Sequence, residues 1–305
     1  MNAIAANLLK IVSGITEKLG GAYNIRINGK GYRMVSTKNI RITGKPDGSG
    51  IDVYVSPGTQ NERLHIPVVI DSSGVTDLVY NDFHIGENAN IEIIAGCGIH
   101  NDGMHLTQHD GIHTFHVGKN ARVQYTEKHY GEGSGEGSNV LNPVTIIHLE
   151  KGATLEMETV QIDGVDSTER VTKADIADDA SLIIKEKLMT GGNQSATTQF
   201  EVNLDGKNSS ANLISRSVAR GHSKQYFYSV INGNNMCSGH SECDAIIMDQ
   251  AMVKAVPDVT ANHVDAALIH EAAIGKIAGE QIMKLRSLGM DEEEAEQEIV
   301  NGFLK

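Results

Sequence analysis

The chain has 305 residues, of which 40% are apolar and 21% charged, a mixture that can bury a core and is unlike a disordered tail. A net charge of −13, aromatics at 4% and no Trp count against nonspecific nucleic-acid binding, adhesion to acidic membranes and a base-stacking platform. No run approaches the about 18 apolar residues of a membrane span. Three cysteines do not make a disulfide framework, so a reducing cytoplasm is expected, with no nucleic-acid or membrane partner.

Residues 1–21, MNAIAANLLKIVSGITEKLGG, lack a continuous apolar segment and a cleavage site, and read as a short amphipathic helix and not a signal peptide. From residue 22 the chain alternates as strands do, beginning with NIRINGKGYRMVSTKNIRITGK. A weak repeat follows, in which Ala precedes two apolar residues in strand spacing. Its copies are Ala89-Asn-Ile91-Glu-Ile93, Ala121-Arg-Val123-Gln-Tyr125, Ala153-Thr-Leu155-Glu-Met157, Ala180-Ser-Leu182-Ile-Ile184 and Ala211-Asn-Leu213-Ile-Ser215. Gly86, Gly118 and Gly152 stand just before three of them. Turn clusters, and no helical pattern, separate the copies: Gly131–Gly137, Asp163-Gly164, Gly191-Gly192-Asn193 and Asp205-Gly206. Strand and turn recurring at this period fit a solenoid of stacked β coils, with a β-sandwich as the alternative.

Two segments carry metal-binding residue types. Cys97 and His100 lead into His105, His109, His113 and His116, whose irregular spacing matches no single face. Cys237-Ser-Gly-His240-Ser-Glu-Cys243-Asp has the spacing C-x2-H-x2-C, short of the four ligands of a closed zinc site. Glu242 and Asp244 should raise the Cys243 thiol pKa, so that a metal or a cationic partner is needed to deprotonate it. After Pro257, residues His263 to Leu288 show an apolar stripe at helical spacing (Ile274, Ile277, Ala278, Ile282, Leu285, Leu288), which predicts a long helix ended by Gly289 with His270 and Glu271 near its start. Asp291 with Glu294 forms a capping box for a second helix, whose buried stripe is expected at Ala295, Ile299 and Phe303. No phosphate-binding loop, dinucleotide fingerprint or nucleophile–base pair is present.

The C-terminal stretch His270-Glu-Ala-Ala-Ile-Gly-Lys-Ile277, continuing as AGEQIMKLRSLGMDEEEAEQEIVNGFL, resembles the signature of the SufB/SufD family, and Cys243-Asp-Ala-Ile-Ile-Met-Asp249 resembles a segment of its SufB branch. The likeness is close from about Lys173 to Leu304 and looser before. Two departures stand out: Ile269 occupies a place where SufB chains often carry a second Glu, and the long N-terminal region of the larger SufB proteins is missing, so the chain reads as a compact SufB-like member.

The resemblance implies a mainly β architecture, a right-handed parallel β-helix at 22–256 with a short N-terminal helix at 1–21 and a C-terminal helical domain at 257–305. It implies a non-enzymatic scaffold for iron–sulfur cluster assembly that binds no nucleotide itself. A SufC-like ABC-type ATPase would grip the C-terminal helices, a second copy or a SufD-like paralogue would complete the scaffold, and apo iron–sulfur proteins would accept the cluster. Cys243 would be the principal ligand of the transient cluster, with His270 and Glu271 in support. No role is assigned to Cys97, Cys237, His240 or the histidines from His100 to His116. The alternatives are a β-helix enzyme acting on polysaccharide and a mononuclear metal-binding protein using the Cys97–His116 segment.

Overall fold

The computed structural model describes residues 1–14 and 20–305. Helix α1 (Ala3–Ser13) is opened by the Asn2 side chain, which accepts from the Ala5 amide, and closed by Gly14 in the left-handed region. Part of the helical segment expected at 1–21 falls on residues 15–19, outside the described residues. The strands are β1 (Ala22–Ile27), β2 (Lys30–Val35), β3 (Ile40–Gly44), β4 (Gly50–Val55), β5 (Gln60–Ile70), β6 (Thr76–Ile85), β7 (Asn90–His100), β8 (Thr107–Val117), β9 (Arg122–Glu132) and β10 (Asn139–Leu141). They continue as β11 (Val144–Leu149), β12 (Thr154–Asp163), β13 (Ser167–Ile176), β14 (Ser181–Thr190), β15 (Ser195–Leu204), β16 (Ser209–Ala219), β17 (Lys224–Gly233), β18 (Cys237–Ile247), β19 (Met252–Ala261) and β20 (Ala266–Gly275), followed by α2 (Gly279–Ser287) and α3 (Glu292–Phe303).

The architecture is a β-solenoid. One sheet runs β2-β1-β5-β7-β9-β12-β14-β16-β18-β20 and the other β19-β17-β15-β13-β10-β8-β6-β4-β3, with β11 bridging β8 and β13. Successive strands alternate between the sheets, and neighbours within each sheet are parallel from β4 and β5 onward. The first strands are an exception. Asn28 and Gly29, both at positive φ, turn β1 antiparallel into β2.

The register explains the repeat. Ile91 lies over Val123, Val123 over Leu155, and Leu155 over Leu182, all essentially buried. Each such side chain contributes about 1.5–3 kcal/mol by leaving water. Ahead of each sits a tight corner in which the Ala amide donates to the carbonyl three residues back: Ala89 to Gly86, Ala121 to Gly118, Ala153 to Glu150 and Ala180 to Ala177. The residue before each Ala is left-handed (Asn88, Asn120, Gly152, Asp179), a conformation that Gly, Asn and Asp tolerate best. At Gly118 a Cβ would come 2.7 Å from the Ile85 carbonyl, so the coil below leaves no room for a side chain. The fifth copy is out of step: Ala211 lies over Leu182, and the corner position belongs to Ser209, whose hydroxyl and amide both reach the Gly206 carbonyl.

The long helix expected from His263 to Leu288 is not formed. Residues Ala266–Gly275 are β20, paired residue for residue with Cys237–Ile246 of β18, and only Gly279–Ser287 is helical. Ala-, Leu- and Glu-rich sequence favours helix locally, but here Ala266 and Leu268 pack on the solenoid core and the ladder to β18 satisfies the backbone. His270 and Glu271 are therefore strand residues. The capping box forms as expected, with Asp291 Oδ1 accepting from the Glu294 amide at 2.8 Å and Glu294 Oε2 accepting from the Asp291 amide at 3.0 Å. The buried residues of α3 are Ala295 and Val300, with Ile299 and Phe303 only half-buried beside them. Val300 and Leu304 pack against Val218 of β16 and Ile246 of β18, which docks the tail on the solenoid wall. Among the described residues no helix is long and apolar enough to cross a membrane.

Candidate functional site

On a strand, odd spacing sends side chains to opposite faces. In β18 the residues Cys237, Gly239, Ser241, Cys243 and Ala245 are buried, whereas Ser238, His240, Glu242 and Asp244 face outward and are exposed or half-buried. The C-x2-H-x2-C spacing therefore cannot converge: both cysteines point into the solenoid and His240 points away from it.

Cys243 is 1% exposed and lies on an interior polar ladder. Reading up one sheet, Glu127, Thr159, Glu186, Ser215 and Cys243 are in register, with Ala272 of the last coil above. Glu186 accepts from Ser215 Oγ at 2.7 Å and from Thr198 Oγ1 at 2.8 Å. Arg170, 4% exposed, donates to Glu127 Oε2 at 2.6 Å and stands 3.6 Å from Glu186, so one buried cation serves two buried carboxylates. Burial pushes the Cys243 thiol up to about 12, and the negative charges of Glu186 and Asp244 add to the effect. The sequence pointed to Glu242 and Asp244; Glu186, from a distant coil, takes the place of Glu242.

His270 shares this interior. It lies over Ser241, two residues from the Cys243 position, and its Nδ1 is buried without a hydrogen-bond partner. Glu271, next in sequence, faces outward and its side chain is 66% exposed. The fold thus places Cys243 and His270 on one side of the wall and Glu271 on the other. Glu271 meets His240 and Glu242 there: one ligand atom from each of the three lies within 4.8 Å of the other two. Among the described residues this is the group of His, Cys, Asp and Glu side chains that converges so closely. The His and Glu members on β18 belong to the GHSEC segment, where strand alternation would have placed them together had the strand been recognised before Cys243.

The histidine-rich segment divides between two faces, with His109 and His113 lining one small interior pocket together with Cys97. His109 and His113 point inward, where Asp77 Oδ2 lies 3.2 Å from His109 Nδ1 and the Tyr125 hydroxyl 2.9 Å from His113 Nδ1. Burial brings the His113 pKa down to about 4. His116 stacks outside between His84 and His148, and His100 lies between Asp102 and Glu132. Cys97 is fully enclosed, and burial raises its thiol pKa, with Asp77 and Glu127 adding to it. Cys237 is buried too.

The last coil is open. Among the described residues β20 ends one sheet and β19 the other, so both carry an unpaired edge. Both expose apolar side chains: Met252, Val256 and Val259 on β19, Ile269 and Ile274 on β20.

Residues 68–303 match the family model of the SufBD core domain of SUF-system FeS cluster assembly. An iron–sulfur cluster assembly SufBD family protein of Methanothermobacter thermautotrophicus is 31% identical over 259 residues, 84% of this chain and 62% of the relative. One from Archaeoglobus fulgidus is 30% identical, covering 90% of this chain and 74% of the relative. One from Methanocaldococcus jannaschii is 25% identical across 99% of both chains. The chain thus spans less than two thirds of the Methanothermobacter relative and nearly all of the Methanocaldococcus one.

Proposed function

Because this chain belongs to the SufBD family of SUF-system iron–sulfur cluster assembly proteins, we propose that it is a scaffold, not an enzyme, which builds a nascent cluster at the open end of its solenoid. The observation that carries this reading is that Cys243 and His270 face the same interior from adjacent strands, two positions apart in register, at the end of the solenoid where among the described residues no further strand pairs with β20. A thiolate and an imidazole suit iron in a cluster. Cys243 is the principal ligand, His270 the second interior group, and Glu271 reaches the same rim from outside. The cluster is the cargo, assembled and handed to apo acceptor proteins in the cytoplasm.

The unpaired edges of β19 and β20, with their exposed apolar side chains, fit a second copy of this chain or a paralogue that completes the interface. An ABC-type ATPase binds α2 and α3. No residue of α2 is buried, which leaves that helix free to meet a partner. Val300 and Leu304 rest on Ile246, three residues after Cys243, so movement of the tail is felt at the cysteine strand. Such a switch works only if the partner binds the two states with different affinity.

The test is anaerobic reconstitution with iron and sulfide of the unmodified protein and of Cys243→Ala. Cluster content and transfer to an apo acceptor should collapse in the variant; equal values remove Cys243 from the site. In parallel, an ABC-type ATPase should co-purify with the full chain and be lost when residues after Gly275 are deleted.

A further inference from the structure

The outward face of β18 and β20 holds a second set of ligands. Glu242 lies directly over Glu271 in the parallel ladder. Like charges so placed repel. Arg216 stands near them, with Nη2 3.7 Å from Glu242 Oε1, beyond hydrogen-bond reach. His240 sits beside the pair, with Nε2 3.6 Å from Glu271 Oε2. Its orientation is set from the other side: Nδ1 lies 3.0 Å from Asn212 Oδ1, and His240 and Asn212 are in register. That contact fixes the ring and leaves Nε2 aimed at the two carboxylates, so one nitrogen and two oxygens face a common point. Imidazole held at one nitrogen by an outer partner and aimed with the other is the arrangement found at metal ligands.

We propose that His240, Glu242 and Glu271 form a solvent-facing site for one divalent first-row transition-metal ion, ferrous iron in the working protein. The choice of iron rests on the assembly role proposed above; the site itself rests on geometry. The three ligand atoms lie within 4.8 Å of one another, and the exposed Glu271 side chain is free to close the remaining distance to the about 2.1 Å typical of nitrogen and carboxylate bonds to such an ion. One imidazole and two carboxylates suit iron(II), manganese(II) and zinc(II), and disfavour copper(I), which prefers sulfur. Cys243 cannot join, because the same strand turns it to the opposite face. β18 therefore carries two stations: a sulfur-free one outside that receives the bare ion, and a thiol inside where the cluster is built. Glu271 links them, since its neighbour His270 faces inward.

The full-length protein is titrated anaerobically with manganese(II), followed by electron paramagnetic resonance, and with cobalt(II), followed by its visible absorption; iron(II) is then added as competitor. One equivalent should bind and be displaced by iron(II). His240→Ala and Glu242→Gln, both outward-facing and not needed for the core, should each weaken binding at least tenfold with an unchanged melting profile. Cys243→Ala should bind as the unmodified protein does. The proposal is overturned if the unmodified protein binds no ion, if both exterior variants bind within twofold of it, or if Cys243→Ala abolishes binding, which would move the ion inside. Cluster reconstitution separates the two readings: a Cys243-dependent cluster alongside binding indifferent to His240 and Glu242 leaves the scaffold role standing and removes only this site.

Discussion

The thiol proposed to hold the cluster is shut away in the isolated chain, and that has a measurable consequence. Burial, Glu186 and Asp244 bring Cys243 from an ordinary 9.0 to about 12. At pH 7 the thiolate fraction is then about one in 10⁵ instead of about one in 10², a thousandfold deficit in the reactive form. The 1% exposure of the residue restricts access further. A timed pulse of iodoacetamide on the native protein, quenched and read cysteine by cysteine by mass spectrometry, should label Cys243 at least a thousandfold more slowly than glutathione. Cys97 and Cys237, also buried, should lag as well, and all three should react at once in denaturant. Addition of the proposed ATPase partner with nucleotide should speed Cys243 at least tenfold and leave Cys97 unchanged. Labelling of Cys243 in the isolated native protein within tenfold of glutathione would refute the reasoning, since it would mean that burial, with Glu186 and Asp244 adding to it, does not govern the thiol.

Three further outcomes follow from the same structure. Arg170→Met strands Glu127 and Glu186 in the interior; removing one partner of a buried ion pair costs about 3–5 kcal/mol, or about 6–10 °C in a thermal melt, and the double variant with Glu127→Gln should lose less than the sum of the singles. His113, held near 4 against an ordinary 6.5, stays neutral when folded and takes up a proton when unfolded. Its contribution is complete above about pH 6.5 and is lost as pH falls toward 4, about 3 kcal/mol in all, so urea midpoints should drop between pH 7 and pH 5 and drop less in His113→Gln. Asp291→Ala removes the capping box of α3 at a cost of about 1 kcal/mol; amide exchange at Glu294 and Ala295 should quicken while the melting temperature of the solenoid holds.

The sequence disclosed the solenoid because its corners have a strict requirement. The Ala at each corner was the visible mark, whereas the positive-φ residues ahead of it, Asn88, Asn120, Gly152 and Asp179, vary in type, and of these Gly152 alone stood out. The repeat then faded where the corner residue changed to Ser209 and the ladder positions became Ala211 and Gly239. A further copy, Ala266-Ala-Leu268-Ile-His270, was present but read as helix, because Ala, Leu and Glu favour helix and nothing local discloses a ladder to β18. Cys243, His270 and Glu271 were all legible by resemblance, but their faces were not. Which side of a wall a residue occupies depends on register, and register depends on strands far away in sequence. Glu186 beside Cys243, and Arg170 between Glu127 and Glu186, are likewise contacts between coils.

The division of β18 into two faces also constrains how any cluster ligand can be reached. Cys243 lies under the final coil and His270 on that coil's inner face, and the coil is held on one side by the ladder to β18 and by Ala266 and Leu268 on the core. Its other edge is bare. The wall is less supported there than in the middle of the sheet, because β18 is paired with both β16 and β20 while β20 is paired with β18 alone, and local opening follows the number of such bonds. The same chain leaves β20 and returns through α3 to rest on Ile246 and Val218, so the tail is anchored to the strand that bears the thiol as well as to the strand that covers it. A force on α2 and α3 therefore acts on the cover and on the cysteine strand together, and separation of β20 from β18 is the motion that would bring Cys243, His270 and the outer trio into one space. A disulfide joining β18 to β20, from Ser238→Cys with Ala267→Cys at a facing pair, should then block cluster formation under oxidising conditions and release it on reduction, with metal binding at His240 intact throughout; unimpeded assembly in the locked protein would show that the coil does not need to open.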